Sequence, residues 1–175
     1  MCMGIFSCGY RIIGKPSIPQ TSGQIFSIGV VPFMNHTTIP GLELIVTDAV
    51  MDELSTWPGV KIKKPGEAEY TISGEILQYQ SQIPHIYIDA NQYPLEYQLS
   101  MTVNFCFNKK GDDTPIEIKE VTIREPYKIL YQGTLHNVDI TGSKYEEYKA
   151  LSGAIGRAVQ SVMDRMFVME SHDAL

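Results

Sequence analysis

Apolar residues recur along this chain at two periods, two and 3.6, and the switches between them mark out the elements. Ile25 to Phe33 is rich in Ile, Val and Phe and reads as a buried strand. Pro32 sits at its end, where a missing N–H costs little. Asn35, His36, Thr37 and Thr38 make a polar turn, and Pro40 suits a first helical turn, its absent N–H being unpaired there in any case. Leu42, Ile45, Val46, Ala49, Val50 and Leu54 then fall on one helical side. Glu43 and Glu53 are the acidic ends of this helix, and only Glu43 stands where the dipole favours it. Trp57-Pro58-Gly59 stops the helix, since a residue before proline avoids the α region.

Period two governs the middle of the chain. Val60 to Lys63 is a short alternating strand with its two lysines on one side, closed by Pro65-Gly66. Tyr70 to Gln80 sets Tyr70, Ile72, Gly74 and Ile76 against Thr71, Ser73, Glu75 and Leu77; Ile86-Tyr87-Ile88 either extends this strand or pairs separately. After a turn at Asp89 to Gln92, Tyr93 to Phe107 places Leu95, Tyr97, Leu99, Met101, Val103, Phe105 and Phe107 on one side. A turn centred on Gly111 follows, then two strands, Ile116 to Ile123 and Tyr127 to Leu135, parted by Glu125-Pro126. The last helix runs from Lys144 to Met169. Ser143 is its cap, Glu146 and Glu147 its acidic first turn, and Tyr148, Leu151, Ile155, Val159, Val162, Met163, Met166 and Phe167 its core stripe.

The order strand, helix, several antiparallel strands, helix predicts an α+β fold. Its economical form is a two-layer sandwich, two helices packed on one face of a mostly antiparallel or mixed sheet. Residues 25–170 form this single domain. Arg11 to Gln24, with two prolines and two glycines, has the composition of an extended tether, and residues 171–175 are expected to fray.

A net charge of −6 excludes the basic stripe of a nucleic-acid protein and broad attraction to an anionic membrane. Contact with such a lipid therefore needs a local basic patch. No apolar run reaches the length of a membrane-spanning helix. The four histidines lie far apart in sequence, so no metal-ligand spacing appears, and no nucleophile elbow, P-loop or dinucleotide fingerprint is present. Asn35-His36-Thr37 matches a glycosylation sequon but reads better as a turn whose side chains bond backbone groups. The chain is expected not to be an enzyme, and to use neither metal nor cofactor.

Three cysteines carry different weights. Ile5 to Tyr10 resembles a lipobox, with an apolar and a small residue directly before the modified cysteine. Residues 1–7 then read as a truncated signal-peptide remnant, and Cys8 as the first mature residue, carrying acyl chains on sulfur and nitrogen. Residues 8–24 become a lipidated tether. The other reading is an ordinary start with a chance cysteine. Cys106 is left alone and is expected to be a small buried core residue. Two basic spots remain. Lys61, Lys63 and Lys64 either protect a sheet edge or contact lipid phosphates, and Lys109 and Lys110 read as a solvated hairpin tip.

Preceded by Val31, the eight residues Pro32, Phe33, Asn35, Thr37, Pro40, Gly41, Leu42 and Glu43, followed by Thr47, Asp48, Ala49, Val50, Glu53 and Leu54, resemble in type and order the LptE family of lipopolysaccharide-assembly lipoproteins. The Cys8-Gly9-Tyr10 start resembles the mature end of that family. The resemblance implies an outer-membrane lipoprotein on the periplasmic face. It would plug an LptD-like outer-membrane β-barrel and help deliver lipopolysaccharide to the outer leaflet, with Lys61, Lys63 and Lys64 as candidate lipopolysaccharide contacts. The rival reading is a lipoprotein scaffold or activator of another envelope complex, a secretion pore or a peptidoglycan synthase. A third is a small-ligand binder without lipid.

Overall fold

The computed structural model describes residues 25–87, 94–112, 114–131 and 138–173. Cys8, the tether, the turn at 89–92 and the expected strand residues 132–135 lie outside them. In chain order the elements are β1 (Phe26–Val30), β2 (Met34–Asn35), α1 (Leu42–Ser55), β3 (Val60–Ile62), a 3-10 turn at Pro65–Glu67, β4 (Tyr70–Tyr87), β5 (Pro94–Lys109), β6 (Ile116–Lys128) and α2 (Ile140–Asp173). The strands form one six-stranded mixed sheet in the order β3-β1-β4-β5-β6, with β2 pairing β4. β1 runs parallel to β3 and β4, whereas β4–β5 and β5–β6 are antiparallel. Both helices pack on one face, so the architecture is the two-layer α+β arrangement that the periodicities call for.

The core is the helix-facing side of the sheet. Ile28, Ile72, Ile76, Leu99, Met101, Val103 and Phe105 meet Leu42, Val46, Val50 and Leu54 of α1 and Leu151, Ile155, Val159 and Met163 of α2. Burying side chains of this size is the main drive for closing the two layers.

The long first strand is interrupted. β1 ends at Val30, and the chain rejoins the sheet only at Met34. Pro32 has no ladder donor, and the Phe33 N–H turns inward to Thr47 Oγ1 at 3.1 Å. Pro40 lies one residue before the helix cap rather than in the first helical turn. Gly41, at φ 82° and ψ −2°, adopts the third position of a type II turn, which follows proline well and suits glycine.

Between β3 and β4 the chain returns past β1 in seven residues, Lys63 to Glu69. Gly29 makes that possible. A Cβ there would lie 2.5 Å from Pro65 Cα, so the short crossover rests directly on the backbone of β1, on the face away from the helices.

Several boundaries differ from expectation for identifiable reasons. Residues 116–128 form one strand, because Pro126 sits on edge strand β6, where a missing donor is tolerated. Ile86-Tyr87 extends β4 rather than pairing apart. Lys63 lies past the end of β3. The register shifts between Ile76 and Gln78, so Leu77 is a bulge residue and the polar alternation resumes at Gln78. α2 starts four residues early: Asp139, not Ser143, caps it, accepting from the Gly142 N–H at 3.0 Å. Ser143 Oγ instead accepts the Leu130 N–H at 3.0 Å. Glu146 and Glu147 therefore fall in the second turn, and Tyr148, at 45% exposure, lies off the core stripe. Leu95 is likewise exposed, at 44%, and the buried side of β5 begins only at Leu99.

Candidate functional site

The eight singled-out residues of the first connection come together between β1 and α1. Asn35 uses its full hydrogen-bonding capacity. Its Nδ2 donates to Ile39 O and to Glu43 Oε2, both at 2.8 Å, and its Oδ1 accepts from the Thr37 N–H at 2.9 Å and the Thr37 hydroxyl at 2.7 Å. Thr37 Oγ1 in turn accepts the Ile39 N–H at 3.2 Å. These contacts satisfy backbone groups of a loop that has no regular ladder. Glu43 stands in the first turn of α1, and its carboxyl pKa is lowered by backbone hydrogen bonds and by Asn35. Thr47, one turn on, accepts from Phe33 and donates to Glu43 O at 2.6 Å. Phe33 is buried edge-on against Phe105, centroids 5.6 Å apart. Gly74 leaves room for that ring: a Cβ there would lie 2.4 Å from Phe33 Cε1. The turn thus positions the sheet and helix; its polar atoms are spent inside the fold. Gly74, an isolated glycine in a strand pattern, carried a signal of close approach that the alternation alone did not use.

The face away from the helices is chemically different. By register, Thr71, Ser73, Glu75, Gln78 and Gln80 of β4 lie beside Asn108, Cys106, Asn104, Thr102 and Ser100 of β5. Thr122 and Arg124 of β6 continue the row beside Thr102 and Ser100. Hydroxyl and amide groups dominate, and the residues on it are half-buried or exposed. Cys106 belongs to this face rather than to the core. The alternation that buries Phe105 and Phe107 turns it outward, where it is half-buried. At one margin Pro32 and Met34 join Ser73, Glu75, Asn104 and Cys106 around an open groove of about 580 Å³.

Between β4, β6 and α2 lies a partly buried polar knot. Tyr79 donates to Glu147 Oε1 at 2.5 Å, and the Gln82 N–H donates to the Tyr127 hydroxyl at 3.2 Å. Burial and the Glu147 carboxylate push the Tyr79 phenol well above its ordinary range and the Tyr127 phenol up to about 12. Arg157 of α2 pairs with Glu125 of β6 nearby.

The lysines are placed by the sheet order. β3 is an edge strand, and Lys61 alternates with Val60 and Ile62, which pack on the core, so Lys61 stands exposed on the sheet edge. Lys63 and Lys64 are exposed in the crossover, and Lys64 precedes the 3-10 turn. The fold brings Lys109 and Lys110 to the same end. Lys109 pairs with Tyr70 at the start of β4 and stands 5.3 Å over its ring, and Lys110 Nζ reaches Gly66 O at 3.5 Å. No spacing in the sequence joins these two pairs. Among the described residues no group of three or more His, Cys, Asp or Glu could hold a metal, and no helix is long and apolar enough to cross a membrane.

A family model described as LptE, lipopolysaccharide-assembly, matches residues 27–166. No curated protein matches the sequence at a significant level. Among solved structures, a protein from Xanthomonas campestris is similar with TM-score 0.55 at 9% identity, covering 90% of this chain and 93% of its own. The solution structure of an uncharacterized lipoprotein B from Nitrosomonas europaea gives 0.50 at 13% identity, covering 93% of each chain. Rare lipoprotein B from Shewanella oneidensis gives 0.44 at 14% identity, covering 85% of this chain and 99% of its own. At such identities the likeness to the first two shows the fold alone.

Proposed function

From the premise that this chain belongs to the LptE lipopolysaccharide-assembly family, a family of non-enzymatic lipoproteins, we propose that it works as a plug and scaffold in the outer membrane. Its partner is an LptD-like β-barrel, and the cargo of the pair is lipopolysaccharide. The observation that carries this reading is the polar sheet face. The row from Ser73 to Gln80 beside Asn104 to Ser100, continued by Thr122 of β6, offers mainly hydroxyls and amides, with Glu75 and Arg124 as its charges. A water-facing sheet needs no such uniformity. The lumen of a membrane β-barrel is polar and lined by side chains that can exchange hydrogen bonds with it.

The anchor in this reading is Cys8. Each buried acyl methylene contributes about 0.8 kcal/mol, and more than one chain makes attachment stable. Residues 8–24 then span the distance from bilayer to domain.

Site-specific photocrosslinking in the intact envelope tests the partnership. A crosslinker at Ser73 or Thr102, on the polar face, is expected to capture a large outer-membrane β-barrel, while one at Asp48, exposed on α1, is not. Capture of a secretion pore or a peptidoglycan synthase from the polar face would instead establish the rival scaffold role.

A further inference from the structure

The end of the sheet where β4 finishes and β5 begins is built differently from the core. On β5 Leu99, Met101 and Val103 are fully buried, yet none of residues 94–98 is buried. On β4 burial stops at Ile76, and none of residues 77–86 is buried. On β6 only Tyr127 and Ile129 stay covered past Pro126. The first turns of α2 meet this end, and none of residues 140–150 is buried either. Leu95, Leu130, Ile140 and Tyr145 are exposed even with the end closed, so closure gains little from apolar burial.

Polar ties hold it instead. The Leu130 N–H donates to Ser143 Oγ at 3.0 Å, and the Asp139 N–H to Leu130 O at 2.7 Å. The Gln82 N–H reaches the Tyr127 hydroxyl at 3.2 Å, from β4 across to β6. Inside the end the strands remain paired: the Ile129 N–H bonds Leu95 O at 3.2 Å, Glu96 lies between Ile86 and Lys128, and the Tyr131 hydroxyl donates to Pro94 O. A crease parts this piece from the rest. Pro84 of β4 pairs with Tyr97, and Pro126 of β6 with the next residue, Gln98, so β5 meets a proline, which has no N–H to give, on both sides. Register with β5 slips between Gln80 and Ile83 and again between Pro84 and Ile86. At the first slip Gln82 is left-handed, φ 59°, a conformation unfavourable for a residue with a Cβ. Slip, left-handed residue and both prolines fall on one line across three strands.

We propose that the sheet beyond this line is a hinged flap. Residues 83–87, 94–97 and 127–130 lift as one paired piece from the first turns of α2, while the two-layer core stays closed. The Leu130–Ser143, Asp139–Leu130 and Gln82–Tyr127 bonds are its latch, and the crease is its hinge. The flap rests neither on the plug reading nor on the anchor at Cys8. Inside a barrel it would give the plug an end that moves without unfolding the rest.

Amide hydrogen exchange by NMR tests this, on the full chain carrying Cys8→Ser and in urea below the unfolding transition. The bonds of the Gln82 and Leu130 N–H groups break on lifting. Both are expected to exchange through one opening, at least about a hundredfold more frequent than that of Val103 and with a shallower urea dependence. The Ile129 N–H, bonded inside the flap, is expected to exchange at least about tenfold more slowly than that of Leu130 beside it. Ser143→Ala and Tyr127→Phe each remove one tie, and each is read at the tie it leaves intact: Ser143→Ala at Gln82, Tyr127→Phe at Leu130. Each is expected to raise that exchange about fivefold. Asn35→Ala, at the other connection, weakens the closed and open forms alike, so it should speed exchange at Val103 and leave Gln82 and Leu130 unchanged. An opening shared with Val103, Ile129 exchanging together with Leu130, or no response to either tie variant at the other tie overturns the flap.

Discussion

Asn35 Nδ2 lies 2.8 Å from Glu43 Oε2, and this bond ties the turn after β2 to the first turn of α1. Because the same Asn35 also closes the loop through Thr37 and Ile39, it serves as the hub of the connection. Asn35→Ala removes these bonds together and is expected to lower stability by about 1–3 kcal/mol, read from urea unfolding. The bond also has a pH signature. The Glu43 carboxyl pKa is lowered in the folded protein, so the stabilisation is present above its unfolded value and lost as pH falls through the folded one. Asn35→Ala should therefore flatten the acid limb of the stability profile below about pH 4.5. An acid limb identical to that of the unaltered protein would show that Asn35 does not hold Glu43 in solution.

Gly74 and Phe33 occupy one space. Gly74→Ala puts a methyl where the Phe33 ring edge and Asn104 O already are, and neither backbone nor ring has room to yield. A loss of about 2–4 kcal/mol is expected, close to that of Phe33→Ala. Because both changes disturb one contact, the double variant should cost less than the sum of the singles. Additive costs in a double-mutant cycle would mean that the ring does not sit on Gly74.

At Gly29 the constraint is the crossover itself. Gly29→Val drives a branched side chain into Pro65 and Ala68 and is expected to destabilise by about 3 kcal/mol or more. Hydrogen exchange should locate the damage at β3 and the Pro65–Glu67 turn, with the amides of β5 and β6 less affected. A uniform loss of protection would show that β3 and the crossover are not a separable unit.

Tyr79 and Tyr127 set the alkaline limb. Their folded pKa values are raised by burial first and then by Glu147, through a hydrogen bond and its charge at Tyr79 and through its charge alone at Tyr127. For a group raised above its unfolded value of about 10, the stabilisation is complete below that value and is lost as pH rises toward the folded one. Unfolding is thus expected to ease from about pH 10 upward, with Tyr127 titrating near 12. Tyr79→Phe removes the donor to Glu147 and should cost about 1.5–3 kcal/mol at neutral pH while weakening the alkaline dependence. Tyrosinate absorbance measured against pH checks both, and a normal phenol titration of every tyrosine in the folded protein would refute the polar knot.

Cys106 offers a reporter on the polar face. In a chain with Cys2→Ser and Cys8→Ser, the half-buried thiol is expected to react with a maleimide in the native state, at a rate between those of a core and a free thiol. If the face docks in a β-barrel, labelling of Cys106 in an envelope complex assembled with Cys8 intact should fall at least tenfold. Equal labelling in both states would place the partner elsewhere.

The chain by itself determined what depends on neighbours one or two turns away. Spacings such as Val46, Val50 and Leu54, or Leu151, Ile155 and Val159, specify helical faces wherever they occur. The alternation through Leu99 to Phe107 specifies a sheet with one greasy side, and two such helices need one such sheet. The ordered run from Pro32 to Glu43 was legible for the same reason: its bonds are nearly all local, closing within eight residues.

Tertiary structure decided whatever depends on which strand lies beside which. Pro126 continues β6 only because that strand is an edge, and Leu77 leaves the alternation only because β4 and β5 slip there. Asp139 takes the cap of α2, while Ser143, a good cap by type, is drawn to the Leu130 N–H across the chain. Lys64 and Lys110, 46 positions apart, share one end because a seven-residue return past Gly29 puts β4 between β1 and β5. Hydrophobic period carries no information about that distance, since it records which side a residue faces and not what stands opposite.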